Sequence, residues 1–339
     1  MPQSENARPA LIMPPRQTTA DGRTRRVGVE LEMNGITLDE LASTVAGVLD
    51  LEITAQGRYE RLLTGDPAGD WKVELDFRLL RDMGREPRDG GEIIDELRHS
   101  AEEILARVSE PVVPFELVSP PLPLDRLEDV ERLIEHLRAR GARGTTRQAT
   151  NAFSLQLNPE LPDLSAQSIL DYIRAFSCLF PWLQRRAQVD FARRITGFAE
   201  PFPERYLRRI LRPEYQPEQT ALIDDYLDAN PTRNRALDLL PLFAHLDHER
   251  VVDRVADPLI KARPTLHYRL PNCEIDRPDW GLHVVWNDWW QVEALACDHD
   301  RLTECCAAFL AFLDAPVDRL FGADWSTRVE RSWLRAAPR

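Results

Sequence analysis

Acidic side chains alternate with apolar ones in three short segments of this chain. The segments are 26–33 (RVGVELEM), 71–77 (WKVELDF) and 113–118 (VPFELV). In a β-strand, successive side chains point to opposite faces, so Glu30 and Glu32 share one face of the first segment. Mg²⁺ is bound through oxygen ligands, often carboxylates, with substrate phosphates completing its shell. A strand face of this kind therefore suits divalent cations.

The other two segments add to the same pattern. Lys72, Glu74 and Asp76 share one face of the second segment, and Glu116 lies in the middle of the third. The alternative is a half-exposed antiparallel strand with a solvated outer face, which shows the same alternation. Because Glu and Asp are poor strand residues, three such strands favour the cation-binding interpretation.

Lysine is rare in this chain. Of its 43 basic residues, only Lys72 and Lys261 are lysines. Lys72 lies in the most acidic of the three strands, where its compact ammonium group can serve a phosphate or acyl-phosphate oxygen. Chance placement is the alternative explanation.

Composition excludes several classes of protein. The 339 residues are 43% hydrophobic and 29% charged, as in soluble globular proteins, and the net charge is −13. That charge argues against a nucleic-acid or anionic-membrane surface, and no apolar run approaches the roughly 20 residues of a membrane span. Five cysteines without a CxxC pair are typical of reduced thiols and predict a cytoplasmic protein. The chain has neither a GxxxxGK[ST] loop nor a GxGxxG fingerprint, which argues against P-loop and Rossmann nucleotide sites.

The elements that position these residues are predicted from the spacing of apolar side chains. Helical spacing predicts helices at 38–49, 91–108 and 124–141, and alternation predicts strands at 152–157, 264–270 and 282–286. Together these elements predict an α+β fold, in which an antiparallel sheet has helices on one side. We expect a disordered N-terminal arm at 1–24 and one domain at 25–335, whose mostly helical middle at about 165–255 forms a lobe.

Several motifs of the chain resemble those of a known family. GVELEM, WKVELD and FELVSPPL, followed by a helix ending in RARGA, are similar to motifs of the putative amidoligase family, and TRNRALDLLPLF and TLHYRL are similar to its arginine-bearing motifs. The likeness covers about residues 25–320. It implies an antiparallel sheet funnel of the glutamine synthetase-like type with a helical insertion. It also implies an ATP- and Mg²⁺-dependent carboxylate–amine ligase that works through an acyl-phosphate.

The resemblance implies a set of metal ligands. Glu30, Glu32 and Glu116 match glutamates that hold metal ions. Two further positions depart from the family, since Gln156 stands where relatives usually carry a histidine and His267 where they tend to carry the glutamate of Glu-x-Arg. A glutamine carbonyl and a neutral imidazole can still bind a cation, so both stay in the predicted ligand set. The exchange lowers the negative charge of the second metal site.

The resemblance also implies residues that contact ATP and substrate. Lys72 and Asp76 lie on a strand that faces the same funnel, and Arg235 and Arg269 match arginines that bind phosphate or a substrate carboxylate. Transfer of a γ-phosphoryl group concentrates negative charge on its oxygens, and positioned metal ions, Arg and Lys stabilise that charge. We therefore expect Lys72, Arg235 and Arg269 to bind ATP.

Two alternatives to a ligase stay open. The first is a non-catalytic descendant of the same fold that binds a nucleotide or a peptide, suggested by the histidine missing at Gln156. The second is a metal-dependent amide hydrolase using the same carboxylates. For a ligase we expect a small-molecule or peptide substrate with a free carboxylate and a free amine. The sequence leaves the identity of that substrate and the oligomeric state open.

Overall fold

The computed structural model describes residues 9–56, 59–75, 114–145, 153–187, 199–315 and 324–336. Within these residues, nine strands form one antiparallel sheet. The strands are β1 (Arg26–Met33), β2 (Glu52–Gln56), β3 (Glu60–Thr64), β4 (Trp71–Leu75), β5 (Phe115–Val118), β6 (Leu122–Pro123), β7 (Leu155–Pro159), β8 (Leu237–Asp238) and β9 (His267–Tyr268). Their order is β2-β3-β4-β5-β1-β7-β9-β8, and β6 pairs with the start of β1.

Helices lie between groups of these strands along the chain. They are α1 (Leu38–Leu49), α2 (Leu127–Ala139), α3 (Ala166–Arg186), α4 (Glu204–Ile210), α5 (Gln219–Ala229), α6 (Leu240–Leu246), α7 (His248–Val252), α8 (Leu282–Ala296), α9 (His299–Leu313) and α10 (Trp325–Ser332). In the described part of the chain, none of these helices has the length and apolarity needed to cross a membrane. The predicted combination of a large antiparallel sheet with helices is confirmed.

The central strand β1 keeps its place through its apolar face. Val27, Val29, Leu31 and Met33 are buried and belong to the same core as the inner faces of α1 and α2. Full burial of such a side chain contributes about 1.5–3 kcal/mol, whereas strand propensities differ by only about 1 kcal/mol. Burial therefore outweighs the poor strand propensity of the glutamates on the other face.

Aromatic packing attaches the far end of the sheet to the helices. The ring of Tyr268 in β9 lies 5.1 Å from that of Trp289 in α8 and 5.9 Å from that of Phe176 in α3, measured between centroids. Because successive side chains alternate, the neighbouring His267 points to the opposite face of the sheet. The same short strand thus anchors the core with one residue and supplies the polar face with the next.

Some predicted elements differ in the structure. The predicted strand at 282–286 is the start of α8, because its apolar residues continue into a helix that is buried along most of its length. Of the strand predicted at 264–270, only His267–Tyr268 forms a strand, and Thr265 adds an isolated bridge to Glu160. The helix predicted at 91–108 lies outside the described residues.

Part of the predicted N-terminal arm contacts α8. The indole N–H groups of Trp286 and Trp290 in α8 donate to the backbone carbonyls of Ile12 (2.8 Å) and Met13 (2.9 Å). Residues 15–18 and 20–24 are exposed, and residues 1–8 lie outside the described part of the chain. The disorder of the arm as a whole stays a prediction.

A buried ion pair connects β1 to the helices. Arg25, just before β1, donates to both carboxylate oxygens of Glu293 in α8, at 2.8 and 3.0 Å. Glu293 also accepts from Tyr172 in α3 and from Trp289, so the carboxylate is fully engaged. Burial alone would lower the pKa of Arg25, but the carboxylate of Glu293 outweighs burial and raises it. This pair fixes α3 and α8 against the central strand.

We expect Glu293→Leu to lower the free energy of unfolding by about 3–5 kcal/mol, because it leaves the buried charge of Arg25 uncompensated. Urea denaturation measures this change. The control is Glu330→Leu, since Glu330 pairs with Arg185 at the surface with 44% of its side chain exposed, and such pairs contribute about 1 kcal/mol or less. Equal losses in the two variants would show that the buried pair does not fix the helices.

Candidate functional site

Four glutamates stand side by side across four neighbouring strands. The pairing register sets Glu60 opposite Glu74, Glu74 opposite Glu116, and Glu116 opposite Glu32, on β3, β4, β5 and β1. Strands lie about 4.8 Å apart, so this glutamate row spans about 14 Å on one face of the sheet. Like charges directly opposite each other destabilise a sheet, typically by about 0.2–1 kcal/mol per pair. Cations or hydrogen-bond donors nearby relieve this repulsion.

A second row of polar residues lies next to the first on the same face. It contains Lys72 on β4, Glu30 on β1 and Gln156 on β7. Glu30 is two residues from Glu32 on the same strand, and Glu32 faces Glu116 across the strand pair. The structure thus brings together the three glutamates that the sequence analysis places at a metal site.

A cavity opens over these rows. Its volume is about 440 Å³. Three carboxylates and five basic side chains line it: Glu30, Glu74, Glu116, Lys72, Arg233, Lys261, Arg263 and His267. A mixture of both charges over a carboxylate floor suits a ligand that is itself a complex of anion and cation.

Lys72 neutralises the outer end of the glutamate row. Its Nζ lies 2.7 Å from Glu74 and 4.0 Å from Glu60. The exposed fraction of the side chain falls from 56% at Glu60 to 26% at Glu74, and Glu116 as a residue is only 2% exposed. Lys261 lines the same cavity, so both lysines of the chain face it. This arrangement favours a functional role for them over chance placement.

Three further cations line the same cavity and form what we call the cationic roof: Arg233, Lys261 and Arg263. Arg263 lies 3.7 Å from Glu30, and Arg233 lies 3.6 Å from Asp257. Both distances are too long for a hydrogen bond, and the Nε of Arg263 is buried without a hydrogen-bond partner among the described residues. The roof can therefore receive a further anion.

Neutral donors serve the inner carboxylates. Glu32 accepts from the backbone N–H of Ser154 (2.7 Å) and from Nε2 of Gln156 (3.2 Å), and Glu30 accepts from Nδ2 of Asn158 (2.9 Å). Asn158 reaches Glu30 across Gly28, where a Cβ would lie 3.3 Å from the Cβ of Asn158. These hydrogen bonds hold the inner carboxylates in place.

The two positions that depart from the family pattern contact each other. Nε2 of His267 lies 2.6 Å from Oε1 of Gln156, and Nδ1 of His267 lies 3.7 Å from Oδ2 of Asp238. Burial raises the pKa of Asp238 to about 6, although Arg269 opposes this shift. These side chains form a buried polar chain between β8 and β1.

Other predicted residues lie elsewhere. Arg235 pairs with Glu200 at 3.0 Å and lines a separate, mostly apolar cleft with Phe176, so the structure does not bring it to the cavity. Arg269 donates to the backbone carbonyl of Arg233, and its charge opposes the rise in the pKa of Asp238. It is not among the residues that line the cavity. Their contact with phosphate stays a prediction.

The predicted residue Asp76 lies outside the described residues.

Sequence reasoning misses Glu60 and the cationic roof. The strand that carries Glu60, ERLLT, does not alternate, so no face can be assigned to it from sequence. The roof residues lie in segments without periodicity, and only the rarity of lysine distinguishes Lys261.

The residues present fit a hard divalent cation by the chemistry of their donors. These donors are mainly carboxylate oxygens, which suit Mg²⁺, Ca²⁺ or Mn²⁺. Among the described residues, no three His, Cys, Asp or Glu side chains are already placed to hold a metal ion. Directly opposite residues on paired strands have Cβ atoms about 5 Å apart, so neighbouring glutamates share one region of the sheet face.

Comparison with known proteins gives the family. A sequence profile of the family described as "Putative amidoligase enzyme" matches residues 23–291. The chain belongs to this putative amidoligase family. The amidoligase match begins just before β1 and ends within α8, so it includes every residue that lines the cavity. No curated protein matches the chain significantly.

We expect Mg²⁺ to raise the melting temperature of this amidoligase family member, because a bound cation relieves repulsion in the glutamate row. Glu116→Gln is expected to weaken Mg²⁺ binding about 100-fold, equivalent to about 3 kcal/mol. Isothermal titration and thermal melts with Mg²⁺ or Mn²⁺ measure this. Glu304→Gln, an exposed change on α9, is the control and keeps the wild-type response. Identical responses in the two variants would rule out the glutamate row as the cation site.

Proposed function

We propose that the protein is an ATP- and Mg²⁺-dependent carboxylate–amine ligase that forms an amide or isopeptide bond on an amino acid or peptide. Membership of the amidoligase family supports a ligase. The observation that carries the proposal is the cavity in which the glutamate row faces the cationic roof. The proposal includes the funnel of glutamine synthetase-like enzymes, since the large sheet carries its carboxylates on one face.

The proposed chemistry requires activation of the acid. A carboxylate oxygen of the substrate attacks the γ-phosphorus of ATP, the bond to the ADP oxygen breaks, and an acyl-phosphate forms. The amine nitrogen then attacks the acyl carbon, inorganic phosphate leaves, and the nitrogen loses a proton. When bound, Mg²⁺ would neutralise charge on the phosphate oxygens.

Residues of the chain account for the remaining requirements. Glu30, Glu32 and Glu116, with Glu74 beside them in the row, would offer the oxygen ligands that hold the cation. The cationic roof contacts the phosphate oxygens, with Arg263 as a planar fork and Lys261 as a mobile point charge. Preorganised charges of this kind typically lower the activation barrier by about 3 kcal/mol each.

A nucleotide- or peptide-binding protein without catalysis is the second candidate. It is favoured by one observation, the orientation of Gln156, whose carbonyl faces His267 rather than the cavity centre. A site with fewer cation ligands can bind a nucleotide and fail to turn it over.

We expect ADP release that depends on both an acid and an amine, and we expect Glu30→Gln to reduce it at least about 100-fold through loss of a cation ligand. A coupled ADP assay over a panel of amino acids and peptides measures this, with Glu304→Gln as the control. ATP binding without turnover would support the second candidate, and amide cleavage without ATP would support a hydrolase.

Lys261→Met is expected to raise the KM for ATP about 10-fold, because a charge-assisted hydrogen bond to phosphate contributes about 1.5–3 kcal/mol. Lys261 is exposed and shows no ion pair within the described part of the chain, so the fold should not change. Steady-state kinetics and circular dichroism check both statements. Arg277→Met, another exposed basic residue, is the control. An unchanged KM would exclude Lys261 from the nucleotide site.

A further inference from the structure

We propose that Gln156 and His267 are positioning residues that hold Glu32 in the glutamate row, rather than ligands of the cation. The inference rests on the proposed function, because it assigns the two residues a role behind the proposed cation site. It is carried by three contacts along one buried chain of side chains. His267 lies 3.7 Å from Asp238, and hydrogen bonds link His267 to Gln156 and Gln156 to Glu32.

The amide of Gln156 has one orientation that satisfies its neighbours. Its Nε2 lies 3.0 Å from Oγ of Ser154 and 3.2 Å from Oε1 of Glu32, so both N–H donors have acceptors. Turning the amide over would set its oxygen against the carboxylate of Glu32, where two acceptors would face each other. The carbonyl oxygen of Gln156 therefore faces His267.

This orientation determines the state of His267. A carbonyl oxygen only accepts hydrogen bonds, so the Nε2 that lies 2.6 Å from it carries a proton. A protonated nitrogen has no lone pair for a metal. The other nitrogen, Nδ1, faces Asp238, whose Oδ1 accepts from the backbone N–H of Leu240 at 2.9 Å. The hydrogen bond between Gln156 and His267 thus occupies the carbonyl oxygen and the Nε2 that would otherwise face a cation.

The consequence reaches the carboxylate of Glu32. One of its oxygens accepts from Gln156 and the other from the backbone N–H of Ser154, which together fix the plane of the carboxylate. Glu32 stands directly opposite Glu116, so this plane sets how the two carboxylates face a shared cation. Loss of the His267 N–H would leave the buried carbonyl of Gln156 without a donor and release the amide. Partners of this kind behind a metal ligand typically change metal affinity about 10–100-fold.

The test is a double-variant cycle in the full chain, read by titration of Mg²⁺ alone and by electron paramagnetic resonance with Mn²⁺. His267→Phe keeps a ring and removes the N–H, and Gln156→Met keeps the length of the side chain and removes the amide. We expect each to weaken cation affinity about 10-fold and the double variant to be no weaker than either single variant, because both act through Glu32.

The matched control is His283→Phe. His283 is also buried, and its Nδ1 lies 2.9 Å from Glu131, outside the cavity. It should cost stability without changing cation affinity. Additive losses in the cycle would show that Gln156 and His267 bind the cation independently and would overturn the inference, as would wild-type affinity in either single variant.

A measurement without metal separates this inference from the proposed function. Nitrogen-15 NMR of the metal-free wild-type protein should show Nε2 of His267 protonated and the side-chain amide protons of Gln156 slow to exchange. An unprotonated Nε2 overturns the inference even if the protein binds Mg²⁺. A wild-type protein that binds no cation overturns the proposed function, while the NMR result still decides the hydrogen-bonded chain. If His267→Phe does not fold, Gln156→Met and the NMR data carry the test.

Discussion

Carboxylates on neighbouring strands repel one another, and here the repulsion runs across four strands from Glu60 to Glu32. The surrounding residues offset this repulsion in two ways. At the outer end Lys72 supplies a positive charge, and at the inner end backbone and amide N–H groups hold Glu32. Glu116 lies between these ends and is buried at the cavity.

The apolar face of the sheet stabilises this arrangement of charged side chains. Valine and leucine side chains on the other face of the same strands enter one core with α1 and α2, and the buried pair of Arg25 and Glu293 attaches α3 and α8 to β1. Paired strands hold the glutamates of the row in fixed register. Such preorganisation is what phosphoryl transfer requires from a protein.

Sequence patterns predicted the parts of the site that lie within regular strands. Alternation alone placed Glu30, Glu32, Glu74 and Glu116 on polar faces, and the family likeness joined those faces. Arg235 carried the same kind of motif support, yet in the structure it pairs with Glu200 in another cleft. A motif reports that a residue is characteristic of a family, but it does not report which cleft the side chain enters.

By itself the sequence determined the composition of the site, because the period of two in β1, β4 and β5 separates acids from apolar residues whatever the partners are. Tertiary structure decided three further things. The register decided that the glutamates stand opposite one another, since a shift by one residue would reverse every face. Chain segments without periodicity brought Arg233, Lys261 and Arg263 over the cavity. Hydrogen-bond geometry turned Gln156 and His267 toward each other, because each amide or imidazole nitrogen has one role once its neighbours are fixed.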